Sequence, residues 1–397
     1  MIGKIRRESI FWEHTFRKGT VKMDLLEIRN EIDGIDAQIV ELYEKRMEVC
    51  KKVAQYKIET GKKVFDKVRE EEKIKKVKSL ATNDFNKMGV EELFEQIMSM
   101  SRKLQYQMLE ENGQTAKLPF IGVDRLYEKK ARVVFQGAEG AYSHLAMQQY
   151  FKDEVDSFHV ETFREAMSAI DEGSADFAVL PIENSTAGIV SEIYDLLVEF
   201  ENYIVGEQII KIEHCLLGLP GTTMDDIKSV YSHPQSLMQS ARFLGQHSSW
   251  QQIGMKNNAF AAAKIVEDQD KSQVAIASEL AAQIHGLEIL KRGVNHSDTN
   301  STRFIIVTNQ KIFKKDANKI SICCELQHES GSLYRMLSHF IYNNLNMCKI
   351  ESRPIEDRNW EYRFFIDFEG NLADSGVRNA LRGLRDESRN MKILGNY

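Results

Sequence analysis

The chain has 397 residues, with 53 Lys and Arg against 59 Asp and Glu and a formal net charge of -6. That length suits roughly two to four domains. No basic excess exists to release counterions from nucleic acid or to seek an anionic membrane surface. No apolar run approaches a membrane span, and no signal peptide is visible. Cys50, Cys215, Cys323, Cys324 and Cys348 are odd in number and form no CxxC pair, so they read as reduced thiols in a cytoplasmic protein.

Residues 1–22 are mildly basic (Lys4, Arg6, Arg7, Arg17, Lys18, Lys22) and lack a clear period. They read as a disordered N-terminal extension, with Met23 immediately before the first regular pattern. Residues 23–112 read as all-helical. The first helix is expected from about Asp24 to Glu59, ending near Gly61. Along it Leu25, Ile28, Ile32, Ile35, Ile39, Leu42, Arg46, Val49, Val53 and Tyr56 recur at alternating spacings of three and four, a heptad seam. Arg46 alone breaks the apolar run. A guanidinium keeps its proton, so something anionic must meet it in the seam. An internal salt bridge and a charge reaching the seam edge are the plain alternatives. Asp66 is placed to cap a second helix carrying Arg69 and Glu70. A third helix is expected from about Val90, where the stripe Phe94, Ile97, Ser101, Leu104, Met108 again admits one polar residue, with Gln105 one turn on.

A linker is expected over 113–130. From Ala131 short apolar runs alternate with helical stretches, which predicts an α/β region of mainly parallel sheet over 131–310. Polar loops follow its strands: Gly137-Ala138-Glu139-Gly140, Glu183-Asn184-Ser185 and Ser232-His233-Pro234-Gln235. In such folds ligands bind beyond the carboxyl ends of strands, near free helix amides. Residues 319–397 read strand, helix, strand, strand, helix, strand, an α+β ferredoxin-like unit. No His/Cys/Asp cluster has metal-ligand spacing, and neither a metal nor a cofactor is expected.

Arg46 and Lys57 are about three turns apart on nearly one face, with α-carbons roughly 16 Å apart, and their long side chains can bracket a small dianion. Arg29 lies four heptads from Lys57, roughly 42 Å along a straight helix. One chain cannot bring both ends to one small ligand, so a shared ligand predicts an antiparallel homodimer or higher homo-oligomer.

Residues 23–112 resemble the all-helical class of chorismate mutases through Leu25-Leu26-Glu27-Ile28-Arg29, Arg46, Lys57, Asp66 with Arg69 and Glu70, Ser101 and Gln105. The resemblance implies that Arg29, Arg46 and Arg69 hold the two carboxylates of chorismate, and it adds Asp66, Glu70 and Ser101 to the residues that bind this substrate. It assigns Lys57 and Gln105 to the ether oxygen. These residue types suit a Claisen rearrangement, which needs a held conformer and charge stabilisation, not a base or nucleophile.

Residues 131–310 resemble prephenate dehydratase. The strongest match is Asp298-Thr299-Asn300-Ser301-Thr302-Arg303-Phe304, with the Glu183 and Ser232 loops and Gln239 beside it. The glycine loop departs from the family, which favours proline and a hydroxyl residue where this chain has Ala138 and Ala141. The resemblance implies a bilobal fold like type II periplasmic binding proteins, crossing between lobes near Ile204–Ile212 and Gly293. It makes Thr302 the catalytic hydroxyl and assigns Asn184, Ser232, Gln239, Arg303, Phe304 and Ser143 to prephenate. Glu183 is a second candidate acid, and the sequence leaves open which group donates the proton.

Residues 319–397 resemble a phenylalanine-binding ACT domain through Gly331-Ser332-Leu333-Tyr334 and Glu351-Ser352-Arg353-Pro354. The family usually has alanine where Ser332 stands. The resemblance implies an effector site at Gly331, Leu333, Glu351, Ser352, Arg353 and Pro354. Together the three resemblances imply a bifunctional enzyme of phenylalanine biosynthesis with feedback control. The alternative from another class is a non-catalytic amino-acid sensor.

Overall fold

The computed structural model describes residues 24–113, 118–127, 130–152, 155–356 and 358–397. The expectation for residues 1–22 falls outside them. The chain divides into two compact units, 1–115 and 116–397.

The first unit holds α1 (Leu25–Thr60), α2 (Lys67–Lys78) and α3 (Asp84–Glu111). The Asp24 side chain caps α1 by accepting from the Leu26 amide, and Gly61 closes it at φ 68°, a conformation that favours glycine. Asp66 caps α2 by accepting from the Arg69 amide. Helix α3 starts at Asp84, earlier than the expected Val90, because the Asn83 side chain accepts from the Asn86 amide at 2.8 Å. Polar Asn86 and Lys87 and the following Gly89 hide the helical period there. Of α1 only Ala54 and Ile58 are buried, while Ile32, Ile35, Ile39, Leu42 and Val49 on its seam are exposed.

The second unit begins inside the expected linker. Its first strand, β1 (Ile121–Val123), pairs in parallel with β13 (Ile312–Lys314). The first lobe contains β2 (Arg132–Gln136), α4 (Tyr142–Phe151), β3 (Asp156–Val160), α5 (Phe163–Asp171), β4 (Phe177–Asn184), β5 (Gly188–Ile189), α6 (Ser191–Glu199), β6 (Tyr203–Lys211) and β12 (Ser301–Thr308). Pro181 lies within β4 although it offers no N–H to the ladder; its partner strand shifts register there, between Arg303 and Phe304. The second lobe contains β7 (Cys215–Gly218), β8 (Ser229–Ser232), α7 (Pro234–Gln239), α8 (Ala241–Leu244), β9 (Gln251–Gly254), α9 (Asn258–Asp268), β10 (Gln273–Ala277), α10 (Glu279–His285) and β11 (Glu288–Lys291), with strand order β11-β7-β10-β8-β9.

The expectation of mainly parallel sheets is corrected. Strands β2, β3 and β4, and likewise β8, β9 and β10, pair in parallel, but β12 lies antiparallel between β4 and β6, and β7 antiparallel between β10 and β11. The antiparallel pairs arise because the chain leaves and re-enters each lobe. The crossing segments run side by side, with the Ile212 amide on Asn300 O at 2.8 Å and the Val294 amide on His214 O at 3.0 Å.

The last elements are β14 (Lys319–Glu325), α11 (Ser332–Tyr342), β15 (Met347–Ile355), β16 (Arg358–Glu369), α12 (Ser375–Glu387) and β17 (Asn390–Asn396). They form an antiparallel sheet, β15-β16-β14-β17, in ferredoxin-like order. This sheet continues into the first lobe where Gly395 of β17 lies beside Ile204 of β6. A Cβ on Gly395 would stand 2.0 Å from Ile204 O, so only glycine permits the join. One apolar core spans the join, holding Leu196 and Leu197 of α6 with Phe365 and Leu394. Burial of that shared surface makes the two parts one body.

Candidate active sites

In the helical unit, the Arg46 guanidinium donates to Ser101 Oγ and, at 3.5 Å, to Ile97 O. Among the described residues no Asp or Glu stands within ion-pair distance of it. Ser101 is buried and donates onward to Ile97 O at 2.7 Å, so it accepts from Arg46 with its remaining lone pair. One turn later Gln105 is buried, with Nε2 on Ser101 O at 3.1 Å and Oε1 unpartnered. A buried amide oxygen without a donor is costly, and a ligand hydroxyl or amine would relieve it. Lys57 Nζ donates to Val64 O at 2.6 Å. Burial lowers the Lys57 pKa, partly offset by Glu70 and Asp66. Glu70 pairs with Arg102, whose guanidinium lies over the Phe65 ring. Arg46, Ser101 and Gln105 therefore come together, while Arg29 and Arg69 are exposed and Asp66 serves as a helix cap.

In the bilobal unit Thr302 pairs across the sheet with Asn184. Asn184 Nδ2 donates to Thr302 Oγ1 at 2.9 Å and to Asn300 Oδ1 at 2.8 Å. Its Oδ1 accepts from the Thr186 and Ala187 amides at 3.0 and 2.8 Å, which fixes the orientation of the side-chain amide. Thr302 Oγ1 therefore accepts from Asn184 and keeps its own hydrogen for another acceptor. Gln239 reaches from the second lobe to Thr186 Oγ1 at 3.1 Å. The lobes also meet where Ser278 Oγ donates to Gly140 O at 2.6 Å. A Cβ on Gly140 would stand 2.8 Å from the Cα of Ala281 on α10, a close approach that requires glycine.

Several expected prephenate contacts lie elsewhere. Alternation along β12 and β4 turns Arg303 and Glu183 to the face opposite Thr302 and Asn184. Arg303 ion-pairs with Asp367 of β16 at 2.8 Å and stands 3.5 Å from Glu207 and Glu183. Burial alone would lower its pKa, but Asp367 holds it above the ordinary arginine value. Glu183 pairs with Lys349 of β15 at 2.8 Å. Ser232 is fully buried and binds Ile276 O at 2.6 Å, fastening β8 to β10. Ser143 is buried and donates to Gln136 O, and Phe304 belongs to the apolar core. Thr186, Asn300 and His214 were missed. Asn300 lies inside the motif at 298–304 and Thr186 directly follows Glu183-Asn184-Ser185, whereas His214 carries no motif.

At the start of α11, Gly331 adopts φ 78° beside a cavity of about 310 Å³ lined by Leu326, Glu329, Ser332, Tyr362 and Phe364. Ser352 and Pro354 pair with Phe364 and Tyr362 across β15 and β16, and so share the cavity face. Leu333 is exposed. Glu351 and Arg353 alternate to the other face, where Arg353 grips Asp195 of α6 at 2.6 and 3.0 Å. Within one chain the second motif therefore divides between the two faces of the sheet.

A helical unit with an uncompensated arginine beside buried polar groups, and a bilobal unit with a paired Thr–Asn wall, match two family models. Residues 28–106 match chorismate mutase type II and residues 133–312 match prephenate dehydratase. A bifunctional chorismate mutase/prephenate dehydratase of Buchnera aphidicola subsp. Schizaphis graminum is 33% identical over 383 residues, covering 95% of this chain and 97% of that one. The chain belongs to the bifunctional chorismate mutase/prephenate dehydratase family. Among solved structures, a prephenate dehydratase of Arthrobacter aurescens in complex with L-Phe is 28% identical with a TM-score of 0.62, over 67% of this chain and 89% of that one. A protein described as a new type of quorum-quenching acylase is 33% identical with a TM-score of 0.61, over 67% of this chain and 97% of that one.

Proposed function

We propose that the first unit rearranges chorismate to prephenate and that the bilobal unit converts prephenate to phenylpyruvate, with phenylalanine as inhibitor. Arg46 carries this reading: a half-buried guanidinium, without a carboxylate partner among the described residues, beside the unpartnered Gln105 Oε1. In the first reaction one C–O bond breaks as one C–C bond forms. Arg46 holds a carboxylate, and Lys57 and Gln105 stabilise charge on the ether oxygen. Arg29, roughly 25 Å from Arg46 along α1, serves the site of a second copy, so the working form is a dimer built on the exposed α1 seam. Arg69 supplies the remaining cation once that copy is in place.

In the second reaction Thr302 donates its hydrogen to the leaving hydroxyl and regains one from solvent water. Water departs, the bond to the ring carboxylate breaks, its electron pair enters the ring, and carbon dioxide leaves. No outside oxidant is needed. Glu183, engaged by Lys349, leaves Thr302 as the donor. Asn184 and Gln239 hold the substrate beside it. Acyl hydrolysis would instead need a base on the Thr302 hydroxyl. Among the described residues the side-chain partner of Thr302 Oγ1 is an amide donor, which favours donation over nucleophilic attack.

The last βαββαβ unit acts as an ACT domain, binding phenylalanine in the cavity at Gly331. The ligand of the Arthrobacter relative supports this reading. Among the described residues no helix is long and apolar enough to cross a membrane, and the free thiols suit the cytoplasm. Purified protein should turn over both chorismate and prephenate. Arg46→Ala should reduce mutase turnover at least about a hundredfold and leave dehydration intact, with Thr302→Ala doing the reverse. Phenylalanine binding with neither turnover would instead mark an amino-acid sensor.

A further inference from the structure

The crossing segment between the lobes carries His214, fully buried, which ends a line of hydrogen bonds leading to Thr302. Tyr142 OH lies 2.9 Å from both His214 Nδ1 and Glu213 O, and His214 Nε2 lies 3.0 Å from Gln239 Oε1. Gln239 Nε2 meets Thr186 Oγ1, and Thr186 Oγ1 meets Asn184 Oδ1 at 2.8 Å and Asn300 Oδ1 at 3.2 Å. The backbone sets the sense of this line. Two main-chain amides hold Asn184 Oδ1 as an acceptor, so the Thr186 hydroxyl gives its hydrogen to an Asn oxygen. Thr186 Oγ1 is then an acceptor toward Gln239, which must present its NH2 group there. Gln239 Oε1 consequently faces His214 and requires a hydrogen on Nε2. Neutral imidazole has one N–H, so Nδ1 is bare and competes with Glu213 O for the single Tyr142 hydrogen.

We propose that Tyr142 gives its one hydrogen to His214 Nδ1 rather than to Glu213 O, and that His214, so held as the Nε2–H tautomer, is a positioning residue of the dehydratase reaction that locks the Gln239 amide with its nitrogen toward Thr186 and the cleft. The lock rests on the dehydratase reading. With the other tautomer Gln239 would rotate, its oxygen would face Thr186, and a donor to bound substrate would become an acceptor. Burial lowers the His214 pKa and raises that of Tyr142, which keeps both groups neutral, as the lock requires. His214 sits where the chain passes between lobes, its amide held by Asn295 Oδ1 at 3.0 Å, so the lock lies at the pivot rather than on either wall.

Nitrogen-15 NMR of the histidine-labelled full chain at neutral pH reads the tautomer directly, with His214→Gln identifying the signal. A neutral Nε2–H pattern is expected, and an Nδ1–H pattern overturns the proposal. His214→Gln can still turn a donor toward Gln239, whereas His214→Glu places an acceptor-only carboxylate there. His214→Gln should keep dehydratase kcat within about tenfold of the parent chain. His214→Glu should lose roughly a hundredfold, with mutase turnover unchanged in both. Equal losses in the two variants, with matching melting curves, would mean that His214 only packs the crossing. Absence of prephenate turnover in the parent chain would overturn the dehydratase reading itself, and the tautomer measurement stands apart from that outcome.

Discussion

In the proposed rearrangement Lys57 must be charged to donate to the departing ether oxygen, and its surroundings work against that charge. Burial lowers its pKa, and Glu70 and Asp66 recover only part of the loss. The active form exists below the folded pKa and disappears as pH rises through it. Because that pKa is lowered, the alkaline limb of mutase kcat/KM should fall at a pH below the ordinary lysine value of about 10.4. Lys57→Arg should move the limb to higher pH in whatever activity remains, since guanidinium does not titrate there. The dehydratase activity of the same preparation is an internal control. A limb that stays in place in Lys57→Arg assigns the titration to another group.

Helix α1 spans 36 residues, yet its own unit buries only Ala54 and Ile58 of it. Ile32, Ile35, Ile39 and Leu42 remain exposed in one stripe. Burying one such side chain fully contributes about 1.5–3 kcal/mol, so several together suffice for a tight dimer. Ile39→Asp should dissociate the protein in sedimentation and reduce mutase turnover in step, because Arg29 then leaves the site it serves; a monomer with full mutase activity would refute this. The stripe was legible in the sequence because a heptad repeats the same instruction many times. Strand β1 was not legible, since three residues cannot establish a period and its pairing with Ile312–Lys314 is a distant contact. The mixed pairing of β12 and β7 was also hidden, because a short apolar run carries no strand direction. Thr302 and Asn184 were readable as types in loops. That both stand in strands, so that Arg303 and Glu183 turn to the opposite face, depends on pairing that no local signal specifies.

That pairing has a consequence across the bilobal unit and the sheet joined to it. Thr302 and Asn184 face the cleft, while the next residue on each strand, Arg303 and Glu183, faces the last sheet. Asp367 on β16 holds Arg303, and Lys349 on β15 holds Glu183. Strand β15 also carries Ser352 and Pro354 on the cavity face, so a ligand that shifts this strand pulls on the backbone carrying the Thr302–Asn184 pair. Removing Asp367 would take from a buried guanidinium its shortest ion pair and leave it Glu207 and Glu183 at 3.5 Å, a local rearrangement that makes it a poor probe of signalling. Lys349 is the better one. Lys349→Gln keeps a donor for Glu183 and removes the charge. It should leave prephenate turnover near that of the parent chain while raising the phenylalanine concentration for half-inhibition roughly tenfold, the loss of about 1.4 kcal/mol of coupling. Calorimetry would show phenylalanine still binding. If inhibition is unchanged although the ion pair is gone, the signal travels by another route, and Gly395 beside Ile204 is the other junction at which to look for it.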